Sequence, residues 1–221
     1  MFVTVSASIR AWALRLLGET FGETAWRDKA NRIELTIEER YCPRGDDNET
    51  RRYPVAAFSP TVTRDVFDLA ACSLLAVSGI AQRLTGLALD WIDERFLARG
   101  TLPPVFHPVI DETHADWPAL RRYHLHDFRN RPHEYHNGGV WPIWLGWLAL
   151  GLAQTGRAGK LGRLRQLVDA HVSALQNFAF DEYFHGLTGT PGGVTQMAYS
   201  ATGLVFLELA GSERQTQLFG T

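Results

Sequence analysis

Glu182 lies in the run Phe180-Asp181-Glu182-Tyr183-Phe184-His185, a carboxylate set among aromatic rings that would partly desolvate it and could wall a sugar subsite. A carboxyl group so placed can take a proton from water as a general base or, with its pKa raised, give one up as a general acid. Well upstream stands a second chemical stretch, Tyr135-His136-Asn137-Gly138-Gly139-Val140-Trp141-Pro142. Its two glycines allow positive φ and the close approach of a ligand to backbone N–H groups. His136 and Asn137 offer directional donors and acceptors of the kind hydroxyl groups need, and Trp141 or Trp144 offers a flat apolar face. Plainer roles stand beside these. Glu182 could cap a neighbouring helix from a loop edge, the glycine pair could simply begin a helix anchored by Trp141, and core packing is the better account of Trp144 and Trp147.

The histidines invite a metal reading, through His124-Leu125-His126-Asp127 followed by His133 and His136. A His-x-His pair puts both rings on one face of a strand, yet the surroundings read as loop, and no Cys or Glu–His helical spacing completes four ligands. Hydrogen-bonded or solvated loop histidines account for them, and neither a metal nor another cofactor is expected.

The elements that must position these residues read as helices. Apolar residues recur at helical spacing over about 4–18, 24–41, 63–79, 80–97 with a break near Gly86, 159–175 and 195–209, while 143–155 is apolar all round and so buried on every side. Thr63 is the expected N-cap of the third, and Pro142 suits a helix start, where its missing donor costs nothing. Glu182 is expected at a helix end. Residues 44–60 and 101–138 read as long irregular connections, the second holding six of the eight histidines; structureless loops of that length inside a domain usually serve function. No period-two stretch competes, so the expectation is all-α, about seven helices paired as antiparallel hairpins.

Composition narrows the ligand. A chain of 221 residues that is 45% hydrophobic and 21% charged can bury one sizeable core. Its formal charge of -2 gives no attraction for nucleic acid or an anionic membrane surface, which favours a small neutral ligand. Cys42 and Cys72 lie far apart with no metal-ligand spacing, so no disulfide framework is indicated. The N-terminus shows no leader pattern, and no stretch approaches ~18 uninterrupted apolar residues. A cytoplasmic protein is expected.

The motifs themselves carry a resemblance. Tyr135-His136-Asn137-Gly138-Gly139-Val140-Trp141-Pro142 is similar to the Tyr-His-Asn-Gly-Gly-x-Trp-Pro motif of the alkaline/neutral invertases, and resembles that of the related amylo-glucosidase and mannosylglycerate-hydrolase-like group. Asp181-Glu182-Tyr183-Phe184 stands where those enzymes have Pro-Glu-Tyr-Tyr, and Gln196-Met197-Ala198-Tyr199-Ser200-Ala201-Thr202-Gly203 where they have Gln-x-Trp-Ser-x-Ala-Gly. Phe67-Asp68-Leu69-Ala70-Ala71 is weakly similar to a Phe-Thr-Leu-Gly-Asn helix start. The resemblance spans about residues 60–210. Asp181 for proline, His185 for an acidic residue and Tyr199 for tryptophan depart from the pattern, which loosens any inference to sucrose.

What the resemblance implies is a partial (α/α)6 toroid of paired antiparallel helices with long active-site loops, residues 1–221 forming the C-terminal part of a glycoside hydrolase catalytic domain. It implies hydrolysis of a small α-glycoside or oligosaccharide with inversion, Glu182 as the base, and an aspartate acid upstream of this region. Tyr135, His136, Asn137, Gly138, Trp141, Gln196 and Tyr199 are the corresponding substrate-binding residues, with a small carbohydrate as ligand. A homo-oligomer, or association with a missing N-terminal half, would complete the ring. Two other classes remain: a carbohydrate-binding module without hydrolysis, and a purely structural helical domain.

Overall fold

The computed structural model describes residues 2–42, 52–59, 61–122, 127–175 and 177–219. Its helices are α1 (Thr4–Thr20), α2 (Thr24–Arg40), α3 (Leu69–Ser78), α4 (Gln82–Arg95), α5 (Trp117–Arg122), α6 (Pro142–Gln154), α7 (Ala158–Ala174), α8 (Ala198–Leu209) and α9 (Glu213–Phe219). Leu69 to Val77 of α3 are all buried, and α6 buries most of its length, as helices without a polar face must. Each fully buried leucine there, such as Leu75 or Leu148, adds about 1.5–3 kcal/mol of burial free energy.

Four helices lie side by side in the order α1, α3, α6, α8; α1, α3 and α6 are each followed by a packed partner, α2, α4 and α7, and the short α9 follows α8. The row packs closely because small residues let backbones meet. A Cβ on Gly146 would lie 2.2 Å from the Gly203 carbonyl oxygen, and one on Gly203 would lie 2.2 Å from that of Pro142. Gly151 stands in the same way against Ala76 of α3. The outer helices are tied by charge, with Arg157 and Lys160 of the α7 region reaching Asp90 and Arg163 reaching Asp93 of α4. Buried Gln215 fastens α9 to α6 by donating to the Leu150 carbonyl at 2.9 Å. The architecture is an arc of an (α/α) toroid.

The connections alternate in length, and that alternation makes the site. Short turns follow α3, α6 and α8, whereas the long segments 41–68, 96–141 and 175–197 lead into the N-termini of α3, α6 and α8. The described parts of all three long segments therefore lie at the same end of the row. Backbone hydrogen bonds sew them together: Leu69 N–H to Val105 O (2.9 Å), Val105 N–H to Gly139 O (2.8 Å), and a two-way bridge between Val140 and Phe184.

Strands were not expected, and the long segments contain all of them but β1, which precedes α1. β1 (Phe2–Val3), β2 (Val55–Phe58), β3 (Thr63–Asp68) and β4 (Phe106–His107) form an antiparallel sheet in that order, and β5 (Tyr183–Phe184) pairs with β6 (Pro191–Gly192). The third expected helix thus loses its first turn and a half to β3. Val66 and Phe67 suit a pleated strand, and the Asp68 carboxylate, accepting from Ala71 N–H at 3.1 Å, starts the helix well after any cap at Thr63 would. Gly86 does not break α4, which runs unbroken from Gln82. α7 stops at Ala174, where Leu175 turns extended, so Glu182 opens a hairpin rather than ending a helix. Residues 44–51 of the first long connection, and His124 and His126, lie outside the described residues. Among the described residues no helix is long and apolar enough to cross a membrane.

Candidate active site

The loop before α6 folds on itself through two unusual backbone positions. Tyr135 has φ 47° and Gly138 has φ 95°, which lets Gly139 N–H reach back to Tyr135 O (3.1 Å) and His133 N–H to Asn137 O (2.8 Å). A Cβ on Gly139 would sit 2.3 Å from Tyr135 O, so only glycine fits. Both glycines are thus required by the loop's own folding, and the close approach they permit is between two stretches of chain.

Asn137 is 5% exposed, and its amide is spent on the protein. Oδ1 accepts from Ile110 N–H (2.7 Å), while Nδ2 donates to Ile110 O (2.7 Å) and Asn130 O (3.0 Å). With both amide hydrogens engaged, it braces the loop against residues 110 and 130. His136 is less enclosed. Its ring stacks on Trp141 at 4.8 Å and 14°, meets Tyr135 edge-on at 4.4 Å, and its backbone N–H donates to Asn130 Oδ1. Burial pulls its pKa below the ordinary histidine value, so near neutrality the imidazole is uncharged, with one nitrogen to donate and one to accept.

Trp141 stands just before Pro142 in extended conformation, 4% exposed, with Nε1–H donating to Tyr135 O at 3.0 Å. His136 stacks on it, and so does Tyr183 at 6.0 Å and 23°. It is the centre of an aromatic stack rather than an open platform. That stack joins the two motifs, since Tyr183 directly follows Glu182.

Glu182 itself is 5% exposed. Its backbone N–H donates to Val194 O (2.9 Å), its Oε2 accepts from Val194 N–H (3.2 Å), and its carbonyl accepts from Ser200 Oγ (3.4 Å) at the start of α8. The chain can fold over the carboxylate here because residue 193 is glycine at φ 79°; a Cβ would fall 2.4 Å from Oε2. Asp181 turns back instead, accepting from Ala179 N–H at 3.4 Å.

The third motif is clamped to the same hairpin. Gln196 N–H donates to Ala179 O and Met197 N–H to Phe180 O, at 2.7 and 3.0 Å. Gln196 is exposed, and Tyr199, 43% exposed, meets Trp144 edge-on at 6.5 Å; partial burial raises the Tyr199 pKa. Of the five non-glycine residues with positive φ among the described residues, four lie here: His133, Tyr135, Phe180 and Gln196. Backbone strain of that kind, about 1–3 kcal/mol at each position, collects where function over-determines a loop.

The structure therefore brings together all three stretches singled out in the sequence, with Glu182 pinned where they meet. Gly193 and Ser200 were missed as contributors to the carboxylate's setting, although adjacent glycines opposite a carboxylate were the available signal. Among the described residues no group of three or more His, Cys, Asp and Glu side chains could hold a metal ion. His133 and His185 face each other at 5.8 Å; burial, and to a lesser degree the nearby His185, lowers the His133 pKa.

Residues 95–209, just over half of the chain, match the family described as alkaline and neutral invertase. Solved structures with the same fold include a GH63 mannosylglycerate hydrolase from Thermus thermophilus in complex with glucose. It is 21% identical with a TM-score of 0.62, over 93% of this chain and 47% of that one. The same hydrolase in complex with Tris matches at 21% identity and TM-score 0.62 over 93% and 45%. An uncharacterized conserved protein from the same organism matches at 21% and 0.60 over 93% and 47%. The chain spans about half the length of these structures. No curated protein sequence matches it.

Proposed function

The chain belongs to the alkaline and neutral invertase family of glycoside hydrolases, and from that membership we propose that it supplies the base half of a site hydrolysing small α-glycosides with inversion. Glu182 takes a proton from water as the water oxygen bonds to the anomeric carbon. The glycosidic C–O bond breaks on the opposite face, and the leaving oxygen receives its proton from a second carboxylic acid. The observation that carries this reading is the fixed carboxylate of Glu182, held by Val194 N–H under the turn at Gly193 where three loops converge.

The binding residues divide into two kinds. His136, Gln196 and Tyr199 contact the sugar: a neutral imidazole and an amide for hydroxyl groups, and an exposed ring for the apolar face. Tyr135, Asn137, Gly138 and Trp141 hold the loop that presents them. The acid comes from helix pairs beyond the four in this arc, whether they belong to a longer chain or to another copy. Exposed Ile9 and Leu16 on α1, and Val205 on α8, give the two ends of the row apolar surface for that closure. Cys72 is a buried thiol, which fits a reducing, cytoplasmic setting.

Hydrolysis of sucrose, maltose, isomaltose and glucosylglycerate by the protein carrying the complete ring tests the reading. Glu182→Gln is expected to lower kcat by roughly a thousandfold or more with KM little changed, as for one member of a cooperating catalytic set. Undiminished turnover would overturn the assignment. Sugar binding with no hydrolysis by the complete ring would instead make the fold a carbohydrate-binding module.

A further inference from the structure

The β5–β6 hairpin joins the two sides of the grip on Glu182. Glu182 directly precedes Tyr183 of β5, and Gly193 and Val194, which enclose and hold its carboxylate, directly follow Gly192 of β6. Successive strand residues face opposite ways. Tyr183 stacks on Trp141, and Phe184, 2% exposed, meets the His171 ring of α7 at 4.3 Å and 60°. The hairpin's turn rests on the same ring, since Gly189 has φ 71° and a Cβ there would fall 2.7 Å from His171 Cε1. A cavity of ≈ 430 Å³ opens beside the imidazole, between α7, residues 100–102 and the hairpin.

His171 is held there with one nitrogen orphaned. Its Nε2 is buried and has no hydrogen-bond partner among the described residues. On an uncharged imidazole that is one unmade hydrogen bond, whereas on an imidazolium it is a buried N–H bearing part of a positive charge, which is far costlier. No carboxylate lines the cavity to offset that charge. The hairpin brings one other titratable side chain to it, His185, while residues 100–102 and Val140 bring none. One turn away on α7 stand Leu167, Val168, Ala174 and Leu175, all apolar. Burial accordingly lowers the His171 pKa from its ordinary 6.5, with a backbone hydrogen bond to Gly189 offsetting part of the effect. The contribution of the seated, uncharged ring is therefore complete above the ordinary value and is lost as pH falls through the lowered one.

We propose that His171 is a positioning residue for Glu182: its uncharged imidazole seats the hairpin against α7, and taking up a proton unseats the hairpin and draws Glu182 apart from Val194. A proton on Nε2 is accommodated only when the hairpin lifts toward the cavity and water reaches the ring. The effect on turnover rests on the hydrolase reading, whereas the seating rests on the packing of His171, Phe184 and Gly189 alone. A helix residue that touches no substrate thus governs how the site responds to acid.

Two measurements compare the wild type with His171→Phe, which keeps an aromatic side chain against Phe184 but cannot take up a proton; His171→Leu repeats the comparison with a smaller side chain. The first follows the isotope-labelled chain by magnetic resonance from about pH 8 to 5. The Phe184 and Val194 backbone amides are expected to shift with the midpoint of the His171 imidazole, and that component should vanish in both variants. The second follows kcat in the protein with the complete ring. One pH unit below the His171 midpoint, the wild type should retain about a tenth of its plateau and His171→Phe about half or more, with KM little changed. Amides that stay still while the imidazole titrates would overturn the inference and leave the hydrolase reading standing, as would identical kcat profiles for wild type and variants. Amides that follow the imidazole, with no hydrolysis by the complete ring at any pH, would support the seating and overturn the hydrolase reading and the role at Glu182 with it.

Discussion

At Asp68 a carboxyl group is almost wholly enclosed, and burial raises its pKa to about 6 even though it accepts hydrogen bonds from the first turn of α3. Because the folded-state value lies above the ordinary 3.8, the folded protein favours the protonated form. That stabilisation is fully present below the unfolded pKa, is lost as pH rises from about 4 through 6, and amounts to roughly 2–3 kcal/mol across the window. Asp68→Asn keeps a capping oxygen without the buried charge. It is expected to flatten the pH dependence between 4 and 6 and to be the more stable protein above pH 7, as read from urea unfolding at several pH values. An unaltered slope in the variant would place the titrating group elsewhere. The same scale shows why the site was only partly legible in the sequence. Residue types picked out stretches that the fold brings together around Glu182, but types do not say whether an amide is free. Asn137 carries the right chemistry for a sugar and spends it on Ile110, a residue far off in sequence, and Trp141 is an aromatic face that neighbouring rings stack upon.

The seven longer helices were legible because their apolar residues run over several turns, whereas α5, inside the segment expected to be irregular, and α9 are six and seven residues long, too short to show a period. The strands were not, because β4, β5 and β6 are two residues long and carry no period at all. β3 was hidden differently: its Val66-Phe67 pair continues smoothly into the apolar run of α3, and only the cap at Asp68 separates them. Contacts between elements also turn on residues that pattern reading passes over. Gly203 of α8 lies against the Pro142 carbonyl of α6, whereas Gly159 near the start of α7 has open space where a Cβ would go. Gly203→Ala must push two inner helices apart, and is expected to cost about 1–3 kcal/mol by overpacking. Gly159→Ala meets nothing and should be neutral or stabilising by up to about 1 kcal/mol through helix propensity. Denaturant midpoints of the two variants, measured together, check the claim; equal effects would mean that the α6–α8 contact yields without cost. On the proposed hydrolase reading, Gly203→Ala should also reduce turnover, since α8 carries Ser200, which holds the Glu182 carbonyl.

Across the whole molecule the row α1, α3, α6, α8 changes character from centre to ends. The middle helices are enclosed on every side, but Ile9 and Leu16 on α1, and Val205 on α8 at 55% exposure, present apolar side chains to solvent. A helix packed on a neighbour hides such residues, as α3 and α6 do along this same row. If further helix pairs close the ring, as the hydrolase reading requires for its acid, the outward stripe of α8 is a contact surface and not a solvent face. Val205→Glu discriminates these. On a solvent face the substitution changes stability by no more than about 0.5 kcal/mol, and in the chain alone that is the expected result. Where the stripe meets another helix, however, a buried unpaired carboxylate is costly, so association with a second copy or with the remaining part of the ring should fall by at least about tenfold. Size-exclusion chromatography with light scattering over a concentration series reads that difference. Association that survives Val205→Glu would free α8 from the interface, and the ring would then have to close on some other surface or not at all.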